Sequence, residues 1–365
     1  MGDVISLGIG EPDFATPWHI REAAIYALEK GRTGYTSNLG LPRLRRAIAA
    51  YTGRMFGVEY DALSDVLVSV GVSEAIDLGL RALLDPGDEV LYHEPCYVSY
   101  APTITLAGGV ARAVRTRACD DFRLRAEDLE AAVTPRTRAL MLNFPTNPTG
   151  GTMGAGDLEA VAEVCRKHDL TVFTDEIYSE ITYDGQSHTS IAALPGMKER
   201  TVLLHGVSKA YAMTGWRIGF ACAPREMIEA MMKIHQYSIL CAPLMGQDAA
   251  IEALERGRTA MESMRDEYAR RRNFICAGLA ECGLPCFKPK GSFYVFPDIT
   301  STGLSSREFS LRLLHEKKVA VVPGEAFGPG GAGHVRCSFA TGLDQIKVAV
   351  ARIAEFCDEV RSARA

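Results

Sequence analysis

The sequence lacks the long apolar segments that mark membrane proteins. No stretch is long and apolar enough to span a bilayer, and the first residues hold no basic region followed by an apolar run. Its charges nearly balance, with a formal net charge of −5 at pH 7. This mild negative charge argues against nucleic acid or an anionic membrane as the main partner. We therefore expect a cytoplasmic protein that acts on small molecules.

Patterns typical of metal sites and disulfides are missing as well. The ten cysteines include no CxxC pair, and the eight histidines show no HExxH spacing. Scattered thiols in a long chain without a secretory leader fit a reducing compartment. Cys282 and Cys286 are close enough in sequence to reach each other, but they lack companions for a zinc site. We expect no bound metal.

One glycine-rich segment resembles a nucleotide-binding pattern without its context. Residues 328–333 fit GxGxxG, but the segment that follows, residues 335–339, is strand-like where the fingerprint requires a helix. We therefore reject a dinucleotide site and expect a loop there.

The order of the elements is what the sequence shows most clearly. Its 365 residues are 47% hydrophobic, enough for two domains that could interleave. Short β-branched runs alternate with helical patterns up to about residue 224, which predicts an α/β domain with a largely parallel sheet. The runs lie at 65–70, 89–92, 139–142, 170–174 and 201–204. The remainder reads as long helices, three further strands and a last helix at 343–361, typical of a smaller α+β domain.

Two residues with catalytic potential follow predicted strands. Asp175 comes after the run 170–174, and Lys209 lies shortly after the run 201–204 among small residues. The carboxyl edge of an open α/β sheet is where ligands bind. A buried lysine loses its proton readily, which suits it to forming a Schiff base. Alternatively, the aspartate could cap a helix and the lysine could be an ordinary surface residue.

Two further connections carry polar groups to the same edge. Residues 143–151, NFPTNPTGG, present an asparagine amide, and residues 69–76 pass from strand to helix through Gly71 and Ser73. A glycine and a serine at a helix N-terminus can hold a phosphate. Each signal alone could be an ordinary turn or cap. Together, a phosphate cradle, an amide, an acid and a lysine form the set that pyridoxal phosphate (PLP) requires.

The segment 206–219, GVSKAYAMTGWRIG, resembles the lysine signature of class I and II aminotransferases of fold type I. The resemblance runs from about Ile5 to the C-terminus. The segments GIGEPDF at 8–14 and GYTSNLG at 34–40 are typical of the aspartate and aromatic aminotransferase group. The resemblance implies a large PLP-binding domain, residues 36–262, and a small domain formed by both chain ends, residues 1–35 and 263–365.

The resemblance also implies the roles of individual residues. Lys209 would hold PLP as a Schiff base and later carry a proton, and Asp175 would pair with the pyridine nitrogen. Tyr178 and Asn147 would hydrogen-bond the ring hydroxyl, and Tyr97 would stack on the ring.

The remaining roles concern the phosphate and the substrate. The expected phosphate ligands are Val72, Ser73, Ser208, Arg217 and, from the partner subunit of a homodimer, Tyr35. The substrate α-carboxylate would meet Arg336, with Gly10 and Asn147 beside it.

The expected reaction is transfer of an amino group from an L-amino acid, aromatic or aspartate, to a 2-oxoacid such as 2-oxoglutarate. It would follow a ping-pong course through pyridoxamine phosphate. A C–S β-lyase on the same fold is the alternative, because the motifs barely separate the two. A PLP-sensing regulator is disfavoured, since no DNA-binding segment precedes Ile5. Only four residues precede Ile5, where relatives carry an arm that often packs on the partner subunit.

Aromatic residues near the predicted site could line a pocket for an aromatic side chain, or belong to the core. They are Phe14, Tyr97, Tyr100, Tyr211, Phe293, Tyr294 and Phe327.

Overall fold

A computed structural model describes residues 4–363 of the chain. Within that range it has three β-sheets. The strands are β1 (Ile5–Ser6), β2 (Val66–Ser69), β3 (Glu89–Glu94), β4 (Val110–Arg115), β5 (Thr137–Leu142), β6 (Thr171–Asp175), β7 (Thr201–Gly206), β8 (Gly219–Cys222), β9 (Tyr294–Val295), β10 (Val319–Ala320), β11 (Val322–Pro323) and β12 (Val335–Ser338).

Eleven α-helices of residues 4–363 surround these sheets. They are α1 (Trp18–Glu29), α2 (Pro42–Phe56), α3 (Gly71–Leu83), α4 (Tyr100–Leu106), α5 (Ala126–Ala132), α6 (Ala155–Lys167), α7 (Arg225–Ser238), α8 (Leu244–Arg256), α9 (Arg258–Glu281), α10 (Ser306–Lys317) and α11 (Leu343–Ser362). In the described part of the chain, no helix is long and apolar enough to cross a membrane.

The large sheet has seven strands in the order β2-β8-β7-β6-β5-β3-β4. Only β8 runs antiparallel to its neighbours, so the sheet is mostly parallel, as predicted. The central strands β5, β6, β7 and β8 are almost wholly buried because helices cover both faces. Since β8 opposes both β2 and β7, β2 is parallel to the rest, and its carboxyl end lies at the same edge as those of β5, β6 and β7.

The pattern of apolar runs did not reveal two strands of this sheet. Strand β4 lies at the edge and is largely exposed, so its sequence, VARAVR, carries charge and lacks a continuous apolar run. Strand β8 has only four residues and begins with a glycine. Neither departs from the predicted α/β class.

The C-terminal part forms the predicted smaller α+β unit. Strands β11, β12 and β9 pair antiparallel, and α9, α10 and α11 pack around a separate apolar core. The long helix α9 joins this unit to the large sheet without interruption.

The N-terminal segment contacts both parts. Strand β1 pairs in parallel with β10 of the smaller unit, whereas α1 packs against α8 beside the large sheet. The division into 36–262 and 1–35 with 263–365 therefore stays a prediction. Residues 1–3 and 364–365 of that division lie outside the described residues.

Candidate active site

A cavity of about 410 Å³ opens at the carboxyl edge of the large sheet. Its lining includes every predicted site residue except Tyr35. Those residues are Gly10, Val72, Ser73, Tyr97, Asn147, Asp175, Tyr178, Ser208, Lys209, Arg217 and Arg336. Tyr35 is absent from this lining and its side chain is 85% exposed.

Lys209 lies in the turn that follows β7. Its Nζ donates a hydrogen bond to the Gly10 carbonyl oxygen at 2.7 Å. Burial lowers the pKa of Lys209 to about 8, although the nearby carboxylates of Glu11 and Asp175 oppose the shift. Near neutral pH a larger fraction of this amine is therefore in its neutral, nucleophilic form than in a surface lysine.

Asp175 ends β6, and both of its carboxylate oxygens are held. Oδ2 accepts from the Tyr100 hydroxyl at 2.8 Å, and Oδ1 accepts from the Ile177 amide at 3.1 Å. Burial raises the pKa of Asp175 to about 6, while these two hydrogen bonds work against the rise. A cationic group placed beside it would stabilise the ionised form, so the site favours a positively charged partner.

The start of α3 forms a cradle for an anion. The backbone N–H groups of Val72 and Ser73 lie in the first turn, at the positive end of the helix. Gly71 has φ +74°, and a Cβ there would overlap the Arg217 guanidinium. A Cβ at Gly219 would likewise overlap the Gly71–Val72 backbone. Glycine at both positions brings the guanidinium and the helix start together.

Arg336 forms a second anion site on β12. It is only 7% exposed, and its guanidinium lies 4.5 Å from the Tyr294 ring and 4.9 Å from the Phe327 ring. One nitrogen donates to Asn147 Oδ1 at 3.0 Å, and another donates to the Gly8 carbonyl oxygen at 2.6 Å. Within residues 4–363 no carboxylate forms a salt bridge with it, and its Nε has no hydrogen-bond partner. A buried guanidinium without a counter-charge is suited to binding a carboxylate.

Tyr178 completes the wall between Asp175 and Arg336. Its hydroxyl lies 3.0 Å from the Tyr294 hydroxyl. Burial raises the pKa of Tyr178 well above the ordinary value, so the phenol stays protonated and can donate a hydrogen bond.

Several lining residues had no assigned role in the sequence-based prediction. Asn143 is one of them. Its side-chain Nδ2 donates to the Asp175 carbonyl oxygen at 2.9 Å, and its Oδ1 accepts from the backbone N–H of Asn147 at 3.2 Å. Its position directly after β5, in the turn already singled out, is the signal that would have found it. The others are Ile76, Tyr100, Ile177, Thr214 and Tyr294.

The aromatic candidates divide between the lining and the core. Tyr97, Tyr100 and Tyr294 line the cavity. The others pack outside it, with Phe327 over Arg336 and Phe293 within 5.9 Å of the Lys209 amine. Phe14 and Tyr211 belong to neighbouring packing, against Tyr268 and the Gly257 turn respectively.

The residues of this cavity fit pyridoxal phosphate. It offers a buried amine for the aldehyde, a carboxylate for the ring nitrogen and a glycine-lined cradle for the phosphate. Arg336 has no carboxylate partner among residues 4–363 and can take that of a substrate. Among residues 4–363, no group of three His, Cys, Asp or Glu is arranged to hold a metal ion.

Comparison with known proteins supports the same assignment. Residues 2–353 match the family model described as aminotransferase class I and II. An aspartate aminotransferase of Pyrococcus abyssi is 49% identical over 97% of this chain and 91% of its own length. The aromatic-amino-acid aminotransferase 2 of Thermococcus litoralis is 47% identical over 98% and 92%.

A solved structure gives the same result for the fold. The aromatic aminotransferase from Pyrococcus horikoshii OT3 superposes with a TM-score of 0.97 at 48% identity, over 98% of this chain and 96% of that one. The expected fold type I architecture is thereby confirmed.

Proposed function

The chain belongs to the class I and II aminotransferase family, and we propose that Lys209 holds its pyridoxal phosphate while an L-amino acid donates its amino group to a 2-oxoacid. The observation that carries this proposal is a single cavity that combines a buried lysine amine with two separate anion sites. The cradle at α3 would take the phosphate of the cofactor, and Arg336 would take the carboxylate of the substrate. A ping-pong exchange through pyridoxamine phosphate follows, because donor and acceptor both need the Arg336 site.

When bound, pyridoxal phosphate supplies an aldehyde carbon that amines attack and a ring that accepts electrons from the substrate Cα. Asp175 would keep the ring nitrogen protonated by pairing with it. Tyr178 and Asn147 would hydrogen-bond the ring hydroxyl, and Tyr97 would stack on the ring. Ser73 and Ser208 would add hydroxyl donors to the phosphate cradle.

Lys209 would also handle the proton. Once the substrate amine has displaced it, its Nζ is a neutral amine inside a buried site, with a pKa that burial has lowered. It would take the proton from the substrate Cα and deliver it to the former aldehyde carbon of the cofactor, which receives the amino group. Arg336 and Gly10 would hold the carboxylate meanwhile, so that the Cα–H bond stays within reach of this amine.

The pH dependence of cofactor capture follows from the pKa of Lys209. Only the neutral amine attacks an aldehyde. With a pKa of about 8, half of the Lys209 side chains are neutral at about pH 8. We expect the rate at which cofactor-free protein takes up PLP, followed by absorbance, to rise with pH and level off above about 8. A rate that keeps rising towards the ordinary lysine value of 10.5 would contradict the role of this buried amine.

Arg336→Lys tests the substrate carboxylate site. Lysine keeps the charge but loses the two-nitrogen fork that matches a carboxylate, so we expect kcat/KM to fall roughly 10²-fold for amino acids and 2-oxoacids alike. Steady-state kinetics would measure it, with Arg225→Lys on the exposed side of α7 as the matched control. A value within about threefold of wild type would exclude this role, since a lost charge-assisted hydrogen bond costs more than that.

The cavity favours an aromatic donor over aspartate. Its only Lys, Arg or His residues within the described chain are Lys209, Arg217 and Arg336, and each already has a role. Tyr294, which has no role toward the cofactor, lines the cavity beside Arg336 and would meet an aromatic side chain instead. We therefore propose tyrosine or phenylalanine as the better donor and aspartate as the second. 2-Oxoglutarate stays the proposed acceptor, and its second carboxylate, like that of aspartate, would find no free cation in the described lining.

Single half-reactions test both the reaction and the donor. Protein loaded with PLP is yellow, and adding one amino acid without any oxoacid should bleach that band as the amino group moves to the cofactor. Aromatic donors should bleach it faster than aspartate, and 2-oxoglutarate should restore it. Release of pyruvate and sulfide from cystathionine, with no need for an oxoacid, would instead support the β-lyase.

We propose further that the protein is a homodimer. Tyr35 does not line its own cavity and is almost fully exposed, as is Tyr237 on α7. Exposed aromatic side chains of this size are typical of interfaces. In a dimer, Tyr35 would reach the phosphate of the neighbouring site.

A further inference from the structure

Glu94 is a buried carboxylate outside the cavity that has no cationic partner. It ends β3 and is 5% exposed. Within residues 4–363, no Lys, Arg or His forms a salt bridge with it. A buried carboxylate without a cation must be stabilised by hydrogen-bond donors. Its own backbone is fixed in the sheet, because the Thr116 amide and hydroxyl both donate to its carbonyl oxygen, at 2.8 and 3.0 Å.

The donor comes from the glycine-rich segment, which we call the glycine loop (residues 327–333). The Gly330 amide donates to Glu94 Oε1 at 2.6 Å. Gly328 has φ +103°, and a Cβ there would overlap the Glu94 carboxylate. A Cβ at Gly330 would lie 3.0 Å from Oε1. The two glycines leave the space that the carboxylate occupies, which explains the first two glycines of the GxGxxG pattern.

The glycine loop begins with the residue that packs on Arg336. The Phe327 ring lies 4.9 Å from the Arg336 guanidinium and is buried. Cys96 lies two residues after Glu94, and its backbone N–H donates to the carbonyl oxygen of Phe327 at 3.3 Å. Glu94 and Cys96 thus hold the loop from the end of β3, on either side of Gly328.

We propose that Glu94 is a positioning residue for substrate binding. By holding the glycine loop, it keeps the Phe327 ring against Arg336 and sets the position from which that guanidinium binds the substrate carboxylate. The inference rests on the proposed role of Arg336. It names a residue that lies outside the cavity lining and touches neither substrate nor cofactor.

This role predicts specific changes in KM and kcat. Amino acid and 2-oxoacid share the α-carboxylate, so loosening Arg336 weakens the binding of both. Because the same contact is made in the ground state and the transition state, KM should rise while kcat changes little. The cofactor band should be unchanged, since no residue of the glycine loop lines the cavity.

The experiment compares Glu94→Ala with Glu94→Gln in the PLP-loaded protein. The alanine variant should raise the KM for donor and acceptor about tenfold or more, because it loses a hydrogen bond to a charged group. Glutamine retains an oxygen that accepts from the Gly330 amide, so it should keep both KM values within about threefold of wild type. The matched control is Glu89→Ala, which removes a buried carboxylate from the other end of β3, where it pairs with Arg112 and Thr134.

A second variant tests the proposal independently, in case Glu94→Ala does not fold. Gly328→Ala adds a Cβ where the carboxylate lies and displaces the glycine loop while leaving β3 intact, so it should raise both KM values in the same way. The proposal is overturned if Glu94→Ala and Gly328→Ala keep wild-type KM values. It is also overturned if Glu94→Ala, like Glu89→Ala, changes only thermal stability. If the wild-type protein shows no half-reaction with any amino acid, the proposed function fails first, and that result is separate from these.

Discussion

Replacing Lys209 with alanine should abolish turnover and remove the yellow band of the PLP-loaded protein. The variant loses both the amine that holds the cofactor and the base that moves the Cα proton. Each function contributes a large factor, so we expect kcat/KM to fall roughly 10⁴-fold or more. Steady-state kinetics and the absorption spectrum would measure this together.

The control for this variant is another lysine. Lys347 is half exposed on α11, where it pairs with Asp344, and it does not line the cavity. Lys347→Ala should keep the band and the rate of wild type. A Lys209→Ala protein that retains full turnover would show that the assignment of this lysine is wrong.

Replacing Asp175 with asparagine should have the second largest effect. Asparagine preserves the shape and can still accept from the Tyr100 hydroxyl, but it has no charge to keep the ring nitrogen protonated. Without that charge the ring accepts electrons poorly, and we expect kcat to fall roughly 10²- to 10³-fold. The cofactor should stay bound, because Lys209 and the phosphate cradle are unchanged.

A graded series separates the charge of Asp175 from its position. Tyr100→Phe removes one hydrogen bond to the carboxylate and leaves the charge, so its effect on kcat should be much smaller. Asp344→Asn, on the exposed start of α11, controls for the loss of a carboxylate elsewhere. An Asp175→Asn variant with wild-type kcat would exclude pairing between this carboxylate and the cofactor.

The fold was predictable where burial is complete. Strands such as β5 and β7 are covered on both faces, so their sequences are nearly continuous apolar runs. Strand β4 escaped the prediction because an exposed edge strand needs no such run. The packing of α1 against α8 joins residues more than two hundred positions apart, and no local pattern encodes such a contact.

Most of the candidate site could be predicted because its residues lie at the carboxyl ends of strands that the sequence predicts. Asp175 ends a buried strand, Lys209 and Asn147 each follow one, and parallel strands bring their carboxyl ends to one edge. Arg336 came from the family resemblance alone, because β12 belongs to a different sheet. The contact between Glu94 and the glycine loop spans 236 residues, and nothing in the GPGGAG sequence tells that its glycines surround a carboxylate.

The most direct test of the account locates the cofactor on the chain. Borohydride reduction of the PLP-loaded protein fixes the cofactor to the lysine that holds it, and mass spectrometry of the peptides then identifies that residue. We expect the added mass on the peptide that contains Lys209, and no stable addition in the Lys209→Ala variant. Addition to a different lysine, or none in the wild-type protein, would contradict the central claim.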